Sequence, residues 1–307
     1  MNSEQQKRLT ELVSQPVEWQ CKLSSYTSFA IGGPAEALIK VKQIKELQPL
    51  LEFLAGEKIP WRTIGRGTNL LVRDEGFPGV ILRLGGELAA VYEERVESGD
   101  SVSLRVGGGG SLSAFSRRCS ERGLTGLEFA CGIPGTIGGA VIMNAGAWGR
   151  DIGSVLCGVR LVTVDGEIAL SVRDMDLAYR CWKNFAAYQG RAVVIEVELV
   201  LQRGERSAVL AYSNSLQEQR KATQPREHAH AGSFFKNPPG DSAGRLIDTS
   251  GMKGLRVGGA MISERHANFL VNTGGATASD VLKLMAIVQE KINNDWGIFL
   301  EPEVHFI

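Results

Sequence analysis

Between Cys131 and Gly149, six of nineteen residues are glycine. Glycine is costly in regular structure. A run this dense is kept where the backbone must take conformations closed to other residues, or lie against something a Cβ would push away. The run reads Cys131-Gly132-Ile133-Pro134-Gly135-Thr136-Ile137-Gly138-Gly139-Ala140 and leads into Met143-Asn144-Ala145-Gly146-Ala147. We read it as a backbone nest whose N–H groups face a large flat or extended ligand. A packed glycine-rich connector is the plainer alternative, although plain connectors of this length are uncommon. A shorter glycine turn, Gly65-Arg66-Gly67-Thr68-Asn69, follows an expected strand at Trp61 to Ile64. It could be a simple tight turn, or a phosphate cradle to which Thr68 and Asn69 add side-chain donors. Two such loops on different units suggest a long ligand, such as a dinucleotide. The excess is chain-wide, with 37 glycines in 307 residues, about 12% against an average near 7%.

Charge narrows the class. Lys plus Arg and Asp plus Glu both number 34. That balance argues against broad contact with nucleic acid or an anionic membrane. The N-terminus is polar with helical spacing and has no apolar signal core. No apolar stretch reaches the roughly 18 residues of a spanning helix. We therefore expect a cytoplasmic protein with no membrane insertion, a monomer or small homo-oligomer. The five cysteines are scattered, without a CxxC pair, which reads as reduced thiols. GxGxxG after the first strand, GxxxxGK[ST], GxSxG and HExxH are all absent. His228 and His230 lack convincing partners as metal ligands, so no metal is expected.

Periodicity gives the outline. A strand is expected at Glu36 to Val41, then a helix with Ile44, Leu47, Leu51 and Leu54 on one face, and strands at Trp61 to Ile64 and Val80 to Leu84. Ser101 to Val106 alternates as a strand, and Ser111 caps a helix facing inward through Leu112, Phe115 and Cys119. Val159 to Val164 and Ala192 to Leu201 read as strands. In the second, Ile195, Val197 and Leu199 lie on one face, with Glu196 and Glu198 on the other. A polar helix at Ser213 to Lys221 leads to a third unit, whose last helix, Ser279 to Asn293, has Ser279 as its expected N-cap.

Two further clusters bear on chemistry. Ala231-Gly232-Ser233-Phe234-Phe235-Lys236-Asn237-Pro238 sets a hydroxyl beside an apolar wall, and Leu300-Glu301-Pro302-Glu303-Val304 sets a carboxylate pair at a strand start. Taken alone, each is better read plainly, the serine as a turn residue and the glutamate as a solvated strand end.

Together these segments resemble the UDP-N-acetylenolpyruvoylglucosamine reductase family. The resemblance runs from about Thr27 to Ile307 and rests on Thr27 to Ala35, Gly65 to Leu71, Gly132 to Gly146, Tyr179-Arg180, Ala231 to Pro238, Leu246 to Asn272 and Leu300 to Val304. It implies an α+β protein with a two-part FAD-binding region, of the vanillyl-alcohol-oxidase kind, plus a C-terminal α+β substrate domain. The implied divisions are 1–87 and 88–205 for FAD, with the strand at 299–307 returning to that region, and 206–298 for substrate. The resemblance assigns FAD to Gly65, Arg66, Gly67, Thr68, Asn69 and Leu70, and to Ile133, Pro134, Gly135, Gly138, Gly139, Asn144 and Gly146. It makes Ser233 the proton donor. By the same resemblance, Arg180 and Glu303 look like the groups that orient and polarise the enolpyruvyl group, and Lys221 and Asn237 like contacts to the substrate diphosphate.

The implied reaction takes hydride from NADPH through FAD to UDP-N-acetylglucosamine enolpyruvate, giving UDP-N-acetylmuramate for peptidoglycan. The sequence departs from the family's Tyr-Arg-x-Ser-x-Phe pattern: Trp182 replaces the serine and Phe185 is displaced by one. The short stretch from Leu201 to Ser233 resembles the subclass without an inserted tyrosine loop. Two alternatives stay open: another FAD-dependent oxidoreductase on the same scaffold, and a nucleotide-sugar binding protein without turnover.

Overall fold

The structure, a computed structural model, describes residues 1–96, 99–188 and 190–307. It begins with α1 (Ser3–Glu11), β1 (Glu18–Lys22), β2 (Pro34–Val41), α2 (Ile44–Gly56), β3 (Trp61–Thr63), β4 (Leu70–Leu71) and β5 (Phe77–Leu84). Next come β6 (Val91–Val96), β7 (Ser101–Gly107), α3 (Leu112–Glu121), β8 (Leu124–Thr125), α4 (Ile137–Ile142), β9 (Gly146–Ala147) and β10 (Arg150–Asp151). Then follow β11 (Leu156–Thr163), β12 (Gly166–Ser171), β13 (Leu177–Ala178), β14 (Cys181–Trp182), β15 (Ala192–Arg203) and α5 (Arg206–Thr223). The chain ends with β16 (Ala229–His230), α6 (Ala243–Thr249), β17 (Arg256–Val257), β18 (Ala260–Ile262), β19 (Leu270–Asn272), α7 (Ala278–Trp296) and β20 (His305–Phe306).

The chain forms two units. The first takes Met1–Trp19, Glu36–Gly65 and Gly79–Gln219. The second takes Gln20–Ala35, Arg66–Pro78 and Arg220–Ile307. Among the described residues, no helix is long and apolar enough to cross a membrane.

The first unit has two cores. One lies under a sheet of order β1-β2-β5-β3, in which β3 runs parallel to β5. The expected apolar face of α2 packs there through Leu47, Leu51 and Leu54 against Ala37, Ile39 and Leu82. The other core lies on the sheet β12-β11-β15-β7-β6, which β8 joins at β15. Leu112, Phe115 and Cys119 of α3 fill it, and Ser111 caps that helix as expected.

β15 departs from simple alternation. Its register against β11 shifts between Arg160 and Leu161, where Arg160 faces Glu196 and Leu161 faces Val194. The extra residue is a bulge, and a bulge reverses the side-chain parity of a strand. Val193 and Ile195 therefore enter the first core, whereas Val194, Val197, Leu199 and Leu201 enter the second. Ile195 does not share a face with Val197 and Leu199. Glu196 is not solvated either: it is 9% exposed, with Arg105 at 3.9 Å and Arg160 at 3.5 Å.

The second unit carries the sheet β16-β19-β18-β17, covered by α6 and α7 through Leu246, Ile247, Val281, Leu284, Val288 and Ile292. The N-cap of α7 is Thr277 rather than Ser279. Its hydroxyl accepts from the Asp280 N–H, and the Asp280 carboxylate accepts from the Thr277 N–H, forming a capping box. The strand β20 pairs in parallel with β4.

Candidate active site

Phe234 and Phe235, at 0% and 1% exposure, anchor the segment that follows Ser233 in the core of the second unit. Buried Asn268 clamps it. The Phe234 N–H donates to the Asn268 carbonyl at 2.8 Å, the Phe235 N–H to Asn268 Oδ1 at 2.9 Å, and Asn268 Nδ2 to the Phe235 carbonyl at 2.8 Å. On its other side the segment pairs with residues 301–303. The Lys236 N–H donates to the Glu301 carbonyl and the Glu303 N–H to the Phe234 carbonyl, both at 2.8 Å, with Phe235 opposite Pro302. The serine cluster and the carboxylate pair thus form one short antiparallel ladder. Ser233 and Glu303 are half-buried on it. Among the described residues the Ser233 hydroxyl makes no hydrogen bond, so its donor is available to a ligand.

Asn69 is bonded to this ladder, and Asn237 ends its serine-bearing segment. Asn69 Nδ2 donates to the Glu303 carbonyl at 3.0 Å, and the His305 N–H donates back to the Asn69 carbonyl at 3.0 Å. Asn237 Oδ1 accepts from the Ala243 N–H at 3.1 Å, tying the end of the segment to the start of α6. Lys221 is exposed in the last turn of α5.

Arg180 belongs to the first unit. It sits at the tip of the β13–β14 hairpin with φ +56°, its guanidinium 5.0 Å from the centre of the Tyr179 ring. The hairpin is tied at both strands. Asn144 Nδ2 donates to the Ala178 carbonyl at 2.9 Å. Trp182 is buried, with its ring 4.8 Å from that of Phe185, and its indole N–H donates to Asn184 Oδ1. Asn184 also accepts from the Asp176 N–H and donates to the Asp174 carbonyl. The departure from the family pattern is therefore a packed and hydrogen-bonded hairpin base.

The two glycine loops meet at Gly65 and Thr136. A Cβ on Gly65 would lie 2.5 Å from Thr136 Oγ1. Thr136 caps α4, its hydroxyl accepting from the Gly139 N–H at 3.3 Å. The glycine run thus contains a short helix that its composition did not announce. Buried Gly138 gives its N–H to the Gly108 carbonyl at 2.8 Å. Gly67 has φ +64°, and a Cβ there would lie 2.2 Å from the Tyr26 carbonyl oxygen. Gly146 allows β9 to approach β10, where a Cβ would lie 2.3 Å from the Arg150 carbonyl oxygen. Ile133 donates its N–H to the Ala130 carbonyl. Pro134 is exposed and Leu70 begins β4.

Among known families, the model described as "UDP-N-acetylenolpyruvoylglucosamine reductase, C-terminal domain" matches residues 224–307, and that described as "FAD binding domain" matches residues 35–170. UDP-N-acetylenolpyruvoylglucosamine reductase 2 of Symbiobacterium thermophilum is 45% identical over 284 residues, covering 92% of this chain and 89% of that protein. This chain belongs to the UDP-N-acetylenolpyruvoylglucosamine reductase family. The reductase of Syntrophotalea carbinolica is 43% identical across 98% of this chain and 97% of its own. The crystal structure of the Thermus caldophilus reductase superposes with a TM-score of 0.78 at 36% identity, covering 95% of this chain and 98% of that one.

The FAD-binding match spans Gly65 to Leu70 and Ile133 to Gly146. The backbone fits such a ligand. Among the described residues, the N–H groups of Arg66 and Gly67, and separately those of Gly135 and Thr136, make no hydrogen bond. Each is a pair of consecutive donors of the kind that holds phosphate oxygens. Sequence reasoning about this reductase missed Asn268 and Thr136. Asn268 carries a legible signal, an amide between apolar Ala267 and Phe269 at the edge of a strand. The pattern does not say which distant segment it clamps.

Proposed function

We propose that this chain reduces the enolpyruvyl ether of UDP-N-acetylglucosamine to UDP-N-acetylmuramate, with NADPH as reductant. The chain is an FAD-binding oxidoreductase of the reductase family and serves peptidoglycan synthesis. The observation that carries the finer reading is the Ser233–Glu303 ladder, with its half-buried serine hydroxyl left for a ligand. Bound FAD would supply the hydride relay from NADPH to the enolpyruvyl methylene carbon.

The residues of the chain handle charge and the proton. Negative charge develops on the carbon beside that methylene and spreads into the substrate carboxylate. Arg180, with its planar fixed guanidinium, meets that charge, an effect worth a few kcal/mol in a site that excludes water. An ionised carboxylate beside an enolate would repel it. Glu303 therefore acts as the neutral acid or through an intervening donor. Ser233 Oγ gives its proton to the carbon, an enolate being basic enough to take it from a hydroxyl within hydrogen-bond reach. Lys221 and Asn237 receive the substrate diphosphate.

In this reading residues 1–87 and 88–205 serve FAD, and 299–307 returns to that region. Residues 206–298 serve the nucleotide-sugar. The residues that bind FAD are Gly65, Arg66, Gly67, Thr68, Asn69 and Leu70, and Ile133, Pro134, Gly135, Gly138, Gly139, Asn144 and Gly146. The enzyme works in the cytoplasm as a monomer or small homo-oligomer, without nucleic acid.

Anaerobic absorbance tests the reading. The protein should be yellow, bleach with NADPH, and recover its colour when the enolpyruvyl nucleotide-sugar is added. Ser233→Ala should bleach at the wild-type rate and recover its colour orders of magnitude more slowly. Equal slowing of both steps would remove the proton-donor role, and bleaching without recovery in the wild type would remove the substrate.

A further inference from the structure

Two histidines outside the expected site hold the Ser233 segment by the same device. His230 Nδ1 accepts from the Gly232 N–H at 3.0 Å, immediately before Ser233. His266 Nδ1 accepts from the Asn268 N–H at 3.2 Å, and Asn268 is the clamp on Phe234 and Phe235 just after Ser233. Both rings stand edge-on to the same buried Phe269, with centroids at 5.0 and 4.8 Å. His230 is further fixed by its Nε2, 3.3 Å from the Pro225 carbonyl, and by its own carbonyl, which accepts from the Ser28 hydroxyl at 2.7 Å. Gly232 has φ +83°, a left-handed conformation that the amide bond to His230 helps to select.

We propose that neutral His230 and His266 are positioning residues for Ser233, bracketing it from both sides through the Gly232 and Asn268 amides. The inference rests on the proton-donor reading of Ser233. A ring nitrogen accepts an N–H only while it carries a lone pair, so protonating either Nδ1 replaces an acceptor with a second donor and opens the bracket. Burial lowers the pKa of both rings. At His230 the Pro225 carbonyl opposes this and Arg220, at the end of α5, adds to it; at His266 a bond to its own main chain and Asp248 oppose it, and Lys253 adds to it, but burial prevails in both. Both rings therefore stay neutral near pH 7, and each bracket is lost as pH falls through its lowered value.

Asparagine is the discriminating substitution, because its Oδ1 takes the place of the histidine Nδ1, accepts the same amide and does not titrate. In the holoenzyme, the substrate-dependent recovery of flavin colour should slow by at least about tenfold for each pH unit below the histidine midpoint. Bleaching by NADPH should not follow that profile. H230N/H266N should lose the acid limb, and the Gly232 and Asn268 amide NMR signals should cease to move with pH. Should the double variant be unstable, H230N alone must abolish the pH movement of the Gly232 amide. An unchanged acid limb in H230N/H266N beside a slow Ser233→Ala overturns the bracket alone. A Ser233→Ala as fast as wild type overturns the proton-donor reading and the bracket's catalytic role together.

Discussion

The side-chain amide of Asn69 donates to the main-chain carbonyl of Glu303 at 3.0 Å. The resemblance assigns Asn69 to the flavin and Glu303 to the substrate, and the side chain of the first holds the main chain of the second. Asn69→Ala should cost about 1 kcal/mol of stability, the usual worth of one hydrogen bond. It should also slow the recovery of colour with substrate more than bleaching by NADPH. Urea denaturation and stopped-flow absorbance separate the two effects, and equal slowing of both steps would show that the bond matters only to the cofactor.

Asn184 is the keystone of the hairpin that presents Arg180. Removing it leaves the buried Trp182 indole N–H without its acceptor, besides freeing the Asp176 N–H and the Asp174 carbonyl. Asn184→Ala should therefore cost about 2 kcal/mol, whereas Trp182→Phe, which removes donor and demand together, should cost about 1 kcal/mol. Denaturant midpoints test the order, and a Trp182→Phe variant less stable than Asn184→Ala would contradict it.

Gly65→Ala should weaken FAD retention, because the new methyl group would lie 2.5 Å from Thr136 Oγ1 and displace one loop or the other. Glycine is tolerated at an N-cap at a cost of a few tenths of a kcal/mol. The double variant Gly65→Ala/Thr136→Gly should therefore recover part of the lost affinity. Flavin fluorescence on dilution measures both, and no recovery in the double variant would place the damage elsewhere.

The start of α7 predicts an acid limb of stability. Asp74 accepts from the Ala278 N–H at 2.7 Å, the Ser279 N–H at 3.0 Å and the Ser279 hydroxyl at 2.9 Å. Burial works against the charged form, but these bonds outweigh it and hold the pKa of Asp74 below the ordinary value. Asp280 is lowered chiefly by its bond from the Thr277 N–H. A lowered carboxylate adds stability that is complete above the unfolded value near 3.9 and lost as pH falls through the folded one. Asp74→Asn should cost about 0.5–1 kcal/mol at pH 7, and its difference from wild type should vanish toward pH 2. A difference constant with pH would rule out the charge.

What could be read from the sequence depended on range. Local signals carried Ser111 as a cap, the apolar face of α2 and the strands at Ser101 and Ala192. The cap of α7 was legible too, in Thr277-x-x-Asp280, but a serine two residues later competed with it. The bulge at Ile195 was not legible, because an inserted residue leaves the pattern apolar and changes only its parity. Site residues came in chain order through the resemblance. The bonds that hold them, Asn268 to Phe235 and Asn69 to Glu303, join positions far apart in sequence and leave no spacing to find.

The bulged strand has a thermodynamic corollary. β15 lends Val193 and Ile195 to one core of the first unit and Val194, Val197, Leu199 and Leu201 to the other. Neither core can open without pulling this strand from both. The two halves of that unit are thereby made to melt together, and the loop of the glycine run is carried by a single cooperative block rather than by a locally unfolding flap.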